Sequence, residues 1–164
     1  MEQKLYDTVT DCPVIAAIKD DAGLERCLDS DIQIVFVLYG DIVSIPEIVD
    51  RIKKKGKLAM VHADLISGLA GKEIAIDFLK RNTQADGIIS TKLSFIKRAK
   101  ELGMATVFRF FVIDSMAFDN IQKQYEAACP DFVEILPGIM PKIIAKVAKM
   151  VSAPVIAGGL IAEK

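Results

Sequence analysis

The chain has 164 residues, of which 52% are hydrophobic and 26% are charged. This balance supports a sizeable core, excludes intrinsic disorder and predicts one compact domain over residues 1–164. Lys and Arg total 21 against 22 Asp and Glu, so the formal net charge is −1 and any RNA contact would need a local basic patch.

Seven short apolar runs recur along the chain and predict seven strands. They begin near residues 13, 32, 58, 86, 105, 132 and 154, and read PVIAAI, IQIVFVLYG, LAMVHADL, DGIIST, ATVFRFFV, FVEILP and PVIAGG. Each run is continuous rather than alternating and is rich in β-branched or aromatic residues. This pattern is typical of strands that are buried on both faces of a parallel sheet.

Segments with helical signals lie between the runs. Ser44 and Glu47 have the spacing of a capping box, and the helix that they begin is predicted to end at Gly56. Either Asp114 or Ser115 can cap a later helix. The remaining apolar and capping signals predict helices over 74–79, 92–102, 114–128 and 141–150.

The alternation gives about six βα units and a seventh strand, which predicts a parallel α/β fold. Two architectures fit this order, a doubly wound open sheet and a TIM-like (βα) barrel. A barrel has eight strands and typically ~250 residues. With seven strands visible, a barrel would lack its final βα unit in this sequence and would be C-terminally incomplete. No G-x-G-x-x-G follows the first strand, which counts against a dinucleotide-binding fold.

Charged and polar residues lie in the second half of the predicted strands or just beyond their ends. Burying a charged group costs free energy unless the group is paired or binds a ligand. The carboxyl ends of parallel strands meet at one face, so these side chains are expected to form a site. They are Lys19, His62, Asp64, Ser90, Thr91, Arg109 and Glu134.

Two pairs in this set have both a functional and a structural interpretation. His62 and Asp64 are two residues apart, so on one strand they would point the same way, and the carboxylate could fix the imidazole tautomer. Alternatively, His62 is only a hydrogen-bonded core residue. Arg109 and Glu134 could bind a ligand or could simply pair with each other.

Glycines follow the last two predicted strands. Gly158 and Gly159 form a candidate phosphate cradle, because backbone N–H groups without a neighbouring Cβ allow close approach of an anion. Many Gly-Gly pairs are only turns. Gly138 lies after the sixth strand, on the same rim, where a turn is again the simpler interpretation.

The densest basic run is Lys53-Lys54-Lys55 with Lys57, at the end of a predicted helix. A solvated surface is the favoured interpretation, and an RNA contact is the alternative. The aromatic residues at 108, 110 and 111 are interpreted as core packing rather than as a base-stacking platform.

The cysteine count, the N-terminus and the length of the apolar runs indicate the cellular compartment. Three cysteines are too few and too scattered for a disulfide framework, and no CxxC pair is present for zinc. The N-terminus is polar, unlike a signal peptide, and no apolar run approaches the ~18 residues of a membrane span. We expect a cytoplasmic protein that holds no metal and does not associate with a membrane.

Four phrases together resemble one known family. MVHADLI (60–66), GIIST (87–91), DFVEILPG (131–138) and APVIAGGLI (153–161), in this order and spacing, are similar to the glycerol uptake operon antiterminators. The likeness extends from Cys12 to Ile161. It implies a TIM-like barrel that senses glycerol 3-phosphate and binds the leader mRNA of glycerol-utilisation genes, a regulator without catalytic residues or cofactors.

The resemblance also assigns an effector site by position. The residues implied to line its mouth are His62, Asp64, Ser90, Thr91, Arg109, Glu134, Gly138, Gly158 and Gly159. Two other functions fit the residues. One is a small enzyme acting on a phosphorylated metabolite, with His62 as acid/base, Asp64 or Glu134 as its partner and Arg109 on the anion. The other is a metabolite-binding barrel that acts through a protein partner. Self-association into a homo-oligomer is compatible with each of these functions.

Overall fold

The computed structural model describes residues 2–162 and contains seven parallel strands. The strands are β1 Ala16–Ile18, β2 Ile34–Val37, β3 Leu58–His62, β4 Gly87–Ser90, β5 Ala105–Phe111, β6 Phe132–Leu136 and β7 Val155–Ala157. The helices are α1 Glu2–Asp11, α2 Asp21–Leu28, α3 Ile45–Lys54, α4 Ile74–Asn82, α5 Leu93–Glu101, α6 Ser115–Ala128 and α7 Pro141–Met150.

The strand order decides between the two predicted architectures. It runs sequentially from β1 to β7, and every neighbouring pair is parallel. A doubly wound sheet reverses its strand order at a switch point, and this sheet has no reversal. The TIM-like prediction is confirmed, and the doubly wound alternative is wrong.

Both faces of the curled sheet are buried, as the continuous apolar runs predicted. Phe36, Met60, Val107 and Phe132 point inward and belong to an inner apolar cluster. The alternate residues point outward and pack against the helices in a larger cluster that includes Phe108. The inner cluster lies toward the amino ends of the strands, so the interior below the carboxyl ends is filled with apolar side chains.

Helix α1 closes the amino end of this interior, and the sequence pattern did not predict it. Its Leu5 is 3% exposed and joins the inner cluster, with Val9 packed beside it. Both side chains line one apolar space together with Ile15, Phe132 and Ile156. The helix was missed because its apolar residues contact the barrel interior rather than a neighbouring helix.

Two aspartates fasten strand pairs at the amino end of the sheet. Asp86 Oδ2 accepts from the N–H of Ala59 at 2.8 Å and from Lys53 Nζ at 2.7 Å. Asp131 Oδ2 accepts from the N–H of Thr106 at 2.8 Å, and its Oδ1 accepts from Lys100 Nζ at 3.0 Å. We call each of these groups an aspartate clamp.

The clamps change the interpretation of the basic run. Lys53 pairs with Asp86, while Lys54 and Lys55 pair with Asp50 and Asp29. Lys57 is 4% exposed and donates to the carbonyls of Ser30 and Ile32, both at 2.6 Å. Lys54 and Lys55 remain exposed, as the solvated-surface interpretation predicted, and that interpretation is wrong for the buried Lys57.

Two local predictions have opposite outcomes. Asp114 caps α6, since its Oδ1 accepts from the N–H of Ala117 at 2.8 Å. The capping box at Ser44 is wrong, because its Oγ accepts from the N–H of Asp41 and caps no helical amide. The core interpretation also fails for Phe111, which is 52% exposed at the end of β5.

Within the part of the chain that the structure describes, no helix combines the length and apolar character needed to cross a bilayer.

Candidate functional site

The upper interior of the sheet is polar, in contrast to its apolar floor. Side chains along a strand alternate between faces, so His62 shares the inward face with Met60, and Arg109 shares it with Val107. Glu134 occupies the inward position on β6, directly paired with Arg109 in the register. His62, Arg109 and Glu134 are 3%, 7% and 3% exposed, so three ionisable groups lie buried together at the carboxyl ends.

Arg109 and Glu134 form a two-bonded ion pair. Arg109 Nε donates to Glu134 Oε2 at 2.6 Å, and Nη2 donates to Oε1 at 3.2 Å. Burial raises the pKa of Glu134, and the charge and hydrogen bonds of Arg109 oppose that rise. Among the described residues, Nη1 of Arg109 makes no hydrogen bond, which leaves this nitrogen available to a ligand.

His62 is held neutral beside this pair. Burial and the positive charge of Arg109 lower its pKa from 6.5 to about 4, against the opposing influence of Asp64. Its Nδ1 is buried and has no hydrogen-bond partner among the described residues. An unpartnered buried polar atom is costly in free energy, so Nδ1 of His62 destabilises the fold unless a hydrogen-bond partner reaches it.

Asp64 does not share a strand face with His62, contrary to the sequence prediction. The chain leaves β3 at His62 and makes a 3₁₀ turn over Ala63–Leu65, which carries Asp64 toward the end of β4. Its Oδ1 accepts from Ser90 Oγ at 2.7 Å, and its Oδ2 accepts from the N–H and Oγ1 of Thr91, each at 2.8 Å.

The electrostatics of Asp64 follow from these bonds. Burial raises its pKa, but the hydrogen bonds from Thr91 and Ser90 outweigh burial and hold the pKa below its ordinary value. Asp64 therefore remains a carboxylate at neutral pH. It joins the ends of β3 and β4 at the mouth and makes no hydrogen bond to His62 among the described residues.

The predicted glycines lie against the ion pair. A Cβ built on Gly158 would be 2.1 Å from Glu134 Oε1, so this position has no room for a side chain. The N–H of Gly158 donates to the carbonyl of Ile135, and the N–H of Gly138 donates to that of Gly159. Gly159 has a φ of +74° and Leu160 a φ of +59°.

Only part of the predicted cradle is available to an anion. The N–H of Gly158 is occupied by its bond to Ile135, whereas those of Gly159 and Leu160 donate no hydrogen bond within the described chain. Lys19 lies exposed just after β1 and makes no ion pair with a described residue. The structure thus brings His62, Arg109, Glu134 and Gly158 into one group, with Lys19 outside it.

A large groove lies elsewhere. It has a volume of about 570 Å³ and is lined by Tyr6, Lys100, Tyr125 and Asp131, among others. Its charged pair belongs to an aspartate clamp, and Tyr125 is bonded to Ser152. These groups are satisfied, so the chemistry favours the buried polar group at the opposite end of the sheet.

Comparison with known proteins gives the family. The sequence profile described as "Glycerol-3-phosphate responsive antiterminator" matches residues 14–164. The chain belongs to the glycerol-3-phosphate responsive antiterminator family.

Relatives of this antiterminator-family chain include one of undetermined role. The "Uncharacterized protein YgcP" of Escherichia coli (strain K12) is 49% identical over 152 residues, which span 93% of this chain and 80% of that protein. Thus the family resemblance inferred from four phrases is confirmed, while this relative contributes no activity.

Two solved structures share the fold at 35% identity. One is a glycerol uptake operon antiterminator regulatory protein from Listeria monocytogenes, with a TM-score of 0.88 over 92% of this chain and 81% of that chain. The other is a glycerol uptake operon antiterminator-related protein from Thermotoga maritima, with a TM-score of 0.79 over 92% and 84%.

Sequence reasoning missed two contributions to this antiterminator-family site. It assigned Ser90 and Thr91 to the mouth but did not foresee that both bind the Asp64 carboxylate. It also did not foresee that Gly158 makes room for Glu134. Both depend on contacts between neighbouring strands, for which a single strand carries no signal.

Proposed function

We propose that this chain is a glycerol-3-phosphate-responsive transcription antiterminator that binds the leader mRNA of glycerol-utilisation genes. Family membership supports the regulatory class. The observation that carries the effector assignment is the buried group of Arg109, Glu134 and His62 above an apolar floor. In this proposal a small polar molecule would bind at the charged group, and the apolar floor would stop it from going deeper.

The charges suggest how a phosphorylated polyol would be held. Glu134 occupies two nitrogens of Arg109, so the phosphate would take the remaining Nη1, the N–H groups of Gly159 and Leu160, and the ammonium of Lys19. Charge-assisted bonds of this kind are the stronger hydrogen bonds in proteins. The hydroxyls would meet the carboxylate of Glu134 and the neutral imidazole of His62.

The RNA-binding part of the proposal is supported by one helix. Helix α7 is the single described helix without an acidic residue, and it carries Lys142, Lys146 and Lys149. All three are exposed, and none is ion-paired within the described chain. Spacings of four and three residues put them on one face, which would offer a row of cations to a phosphate backbone.

A filter-binding titration tests the function. A labelled leader transcript of a glycerol-utilisation gene is titrated with the protein, with and without glycerol 3-phosphate, and with glycerol as the control. We expect glycerol 3-phosphate to change the apparent Kd and glycerol to leave it unchanged. If no transcript binds in either condition, the antiterminator assignment is wrong.

Calorimetry tests the effector site separately. We expect glycerol 3-phosphate to bind the wild-type protein and His62→Asn to weaken that binding, because the shorter Asn side chain does not reach the position of the imidazole Nε2. If glycerol 3-phosphate does not bind at about millimolar concentration, where binding free energy is only about −4 kcal/mol, the effector is wrong.

One observation favours an enzyme as the second candidate. His62 is a neutral, buried base beside an arginine, and strongly shifted pKa values cluster at catalytic sites. In that case His62 would move a proton on a phosphorylated metabolite. Turnover of a panel of small sugar and polyol phosphates, lost in His62→Asn, would support the enzyme, whereas binding without turnover supports the regulator.

A further inference from the structure

The exposed large apolar side chains gather at one end of the molecule. Among the described residues twelve are exposed, and two of them, Tyr6 and Val14, lie near the amino ends of the strands. The other ten follow the carboxyl ends of β2, β3, β5, β6 and β7. We call these ten the apolar rim: Ile42, Val43, Leu65, Ile74, Phe111, Ile113, Met116, Ile139, Leu160 and Ile161.

Several rim residues are far more exposed than a core side chain at the edge of the protein would be. Val43 is 85% exposed, Ile113 81% and Met116 78%, so these side chains project almost fully into solvent. Isolated apolar residues on a surface are ordinary, but a group that surrounds one opening marks an interaction surface.

The rim divides into two arcs around the mouth. One arc follows β2 and β3 and includes Val43. The other follows β5, β6 and β7 and includes Ile113 and Ile139. Between them, the end of β4 is polar, with Thr91 and Lys92 exposed. A two-fold axis through the mouth would lay the first arc of one copy on the second arc of the other, which is the self-complementarity that a symmetric dimer needs.

The apolar area suits a dimer. At roughly 100 Å² of apolar area for a large aliphatic side chain, the ten residues expose roughly 600 Å². Because the two arcs share this area, each exposes roughly 300 Å², the lower end for the largest contiguous patch on a typical monomer, about 300–600 Å². Together with the polar surface between them, the arcs approach the roughly 800 Å² that each partner buries in a stable interface.

We propose that the apolar rim is the surface through which two copies of this chain associate, mouth to mouth. The formal net charge of −1 gives two copies little mutual repulsion. A nucleic-acid partner would require cations, whereas the rim offers apolar side chains. Association would cover the carboxyl end of the sheet, where Thr91 and Lys92 are exposed between the two arcs. The proposal does not depend on the antiterminator function.

Analytical ultracentrifugation of the intact chain tests the proposal. Protein is examined from about 1 to about 100 µM, a range that brackets moderate affinities. We expect a monomer–dimer equilibrium in the wild type. Val43→Lys with Ile113→Lys should raise the dimer Kd by about tenfold or more, because each new charge occurs twice in a symmetric interface.

The matched control is Tyr6→Lys, which places the same charge at the other end on a side chain that is 50% exposed. It should leave the dimer intact, and thermal melts should show all variants folded, since the substituted side chains are exposed. A wild type that stays monomeric overturns the proposal. So does a dimer that survives the double substitution, or one that Tyr6→Lys dissociates.

Discussion

Protonation of His62 is opposed by its surroundings, and this makes the stability of the fold depend on pH. Burial and the neighbouring Arg109 lower the pKa of His62 from 6.5 to about 4. Between these values the unfolded chain binds more protons than the folded one. The contribution of His62 is therefore fully present above about pH 6.5 and is lost as the pH falls toward about 4.

Replacing His62 by Asn should make the unfolding free energy depend less on pH between about pH 4 and about pH 7. Relative to His62→Asn, the wild type should lose on the order of 2–3 kcal/mol of unfolding free energy between about pH 7 and about pH 4. Urea denaturation at a series of pH values measures this difference. Glu134 is present in both proteins, so subtraction removes the effect of its own shifted pKa, whereas the pKa of Asp64 also responds to His62 and contributes to the measured difference. Parallel profiles would contradict the prediction.

Gly158 is the residue whose missing side chain makes room for the ion pair. Gly158→Ala would place a Cβ at 2.1 Å from Glu134 Oε1 and force the carboxylate away from Arg109. We expect a loss of about 1–3 kcal/mol in unfolding free energy, the usual scale of overpacking. Chemical denaturation measures this loss, and binding of glycerol 3-phosphate should fall in parallel.

Gly71→Ala is the matched control for this substitution. A Cβ there would meet only the ammonium of Lys92, at the ordinary contact distance of 3.7 Å. Its stability should stay within about 0.5 kcal/mol of the wild type, as is usual for surface substitutions. Equal losses in the two variants would mean that Glu134 can move without cost.

At the scale of single elements, α7 offers a test of RNA contact. Lys142→Gln, Lys146→Gln and Lys149→Gln together should weaken binding of the leader transcript. They should also reduce the slope of log Kd against log salt by about 2, near 0.7 for each lost contact to a single strand. Filter binding at several salt concentrations measures both effects.

The control for α7 removes the same charge elsewhere. Lys80→Gln, Arg81→Gln and Lys97→Gln change three exposed cations on α4 and α5. This variant should keep the wild-type slope. If both triple variants weaken binding equally, net charge rather than α7 governs the contact.

Elements with dense local signals were predictable, and those fixed by distant contacts were not. Helix α6 is capped by Asp114, one of the two residues predicted to cap it, because an N-cap aspartate acts within its own turn. Helix α1 escaped prediction, because Leu5 and Val9 make their contacts with the barrel floor.

The same distinction holds within the site. The pairing of Arg109 with Glu134 was one of two predicted alternatives, because the two residues lie on consecutive strands. The turn that separates Asp64 from His62 depends on bonds to Ser90 and Thr91, which lie across on the next strand.

For the whole molecule, the edges of the sheet should be its least protected part. Among the described strands, β1 and β7 each pair on one side only, whereas β4 lies between β3 and β5. Amides of the inner strands should exchange with solvent more slowly than those of β1 and β7, by a factor on the order of 100 or more. Hydrogen exchange followed by NMR measures this gradient, and uniform protection across the sheet would contradict it.

The two aspartate clamps show that one arrangement at the amino ends of β3 and β4 recurs at β5 and β6. Lys53, Ala59 and Asp86 have the same relations as Lys100, Thr106 and Asp131. Ala59 lies three residues before His62, as Thr106 lies three before Arg109. The imidazole of His62 and the guanidinium of Arg109 thus occupy equivalent positions on β3 and β5, each above an aspartate clamp. Substitutions at these two positions would change the ligand that the site binds, while the clamps continued to stabilise the fold.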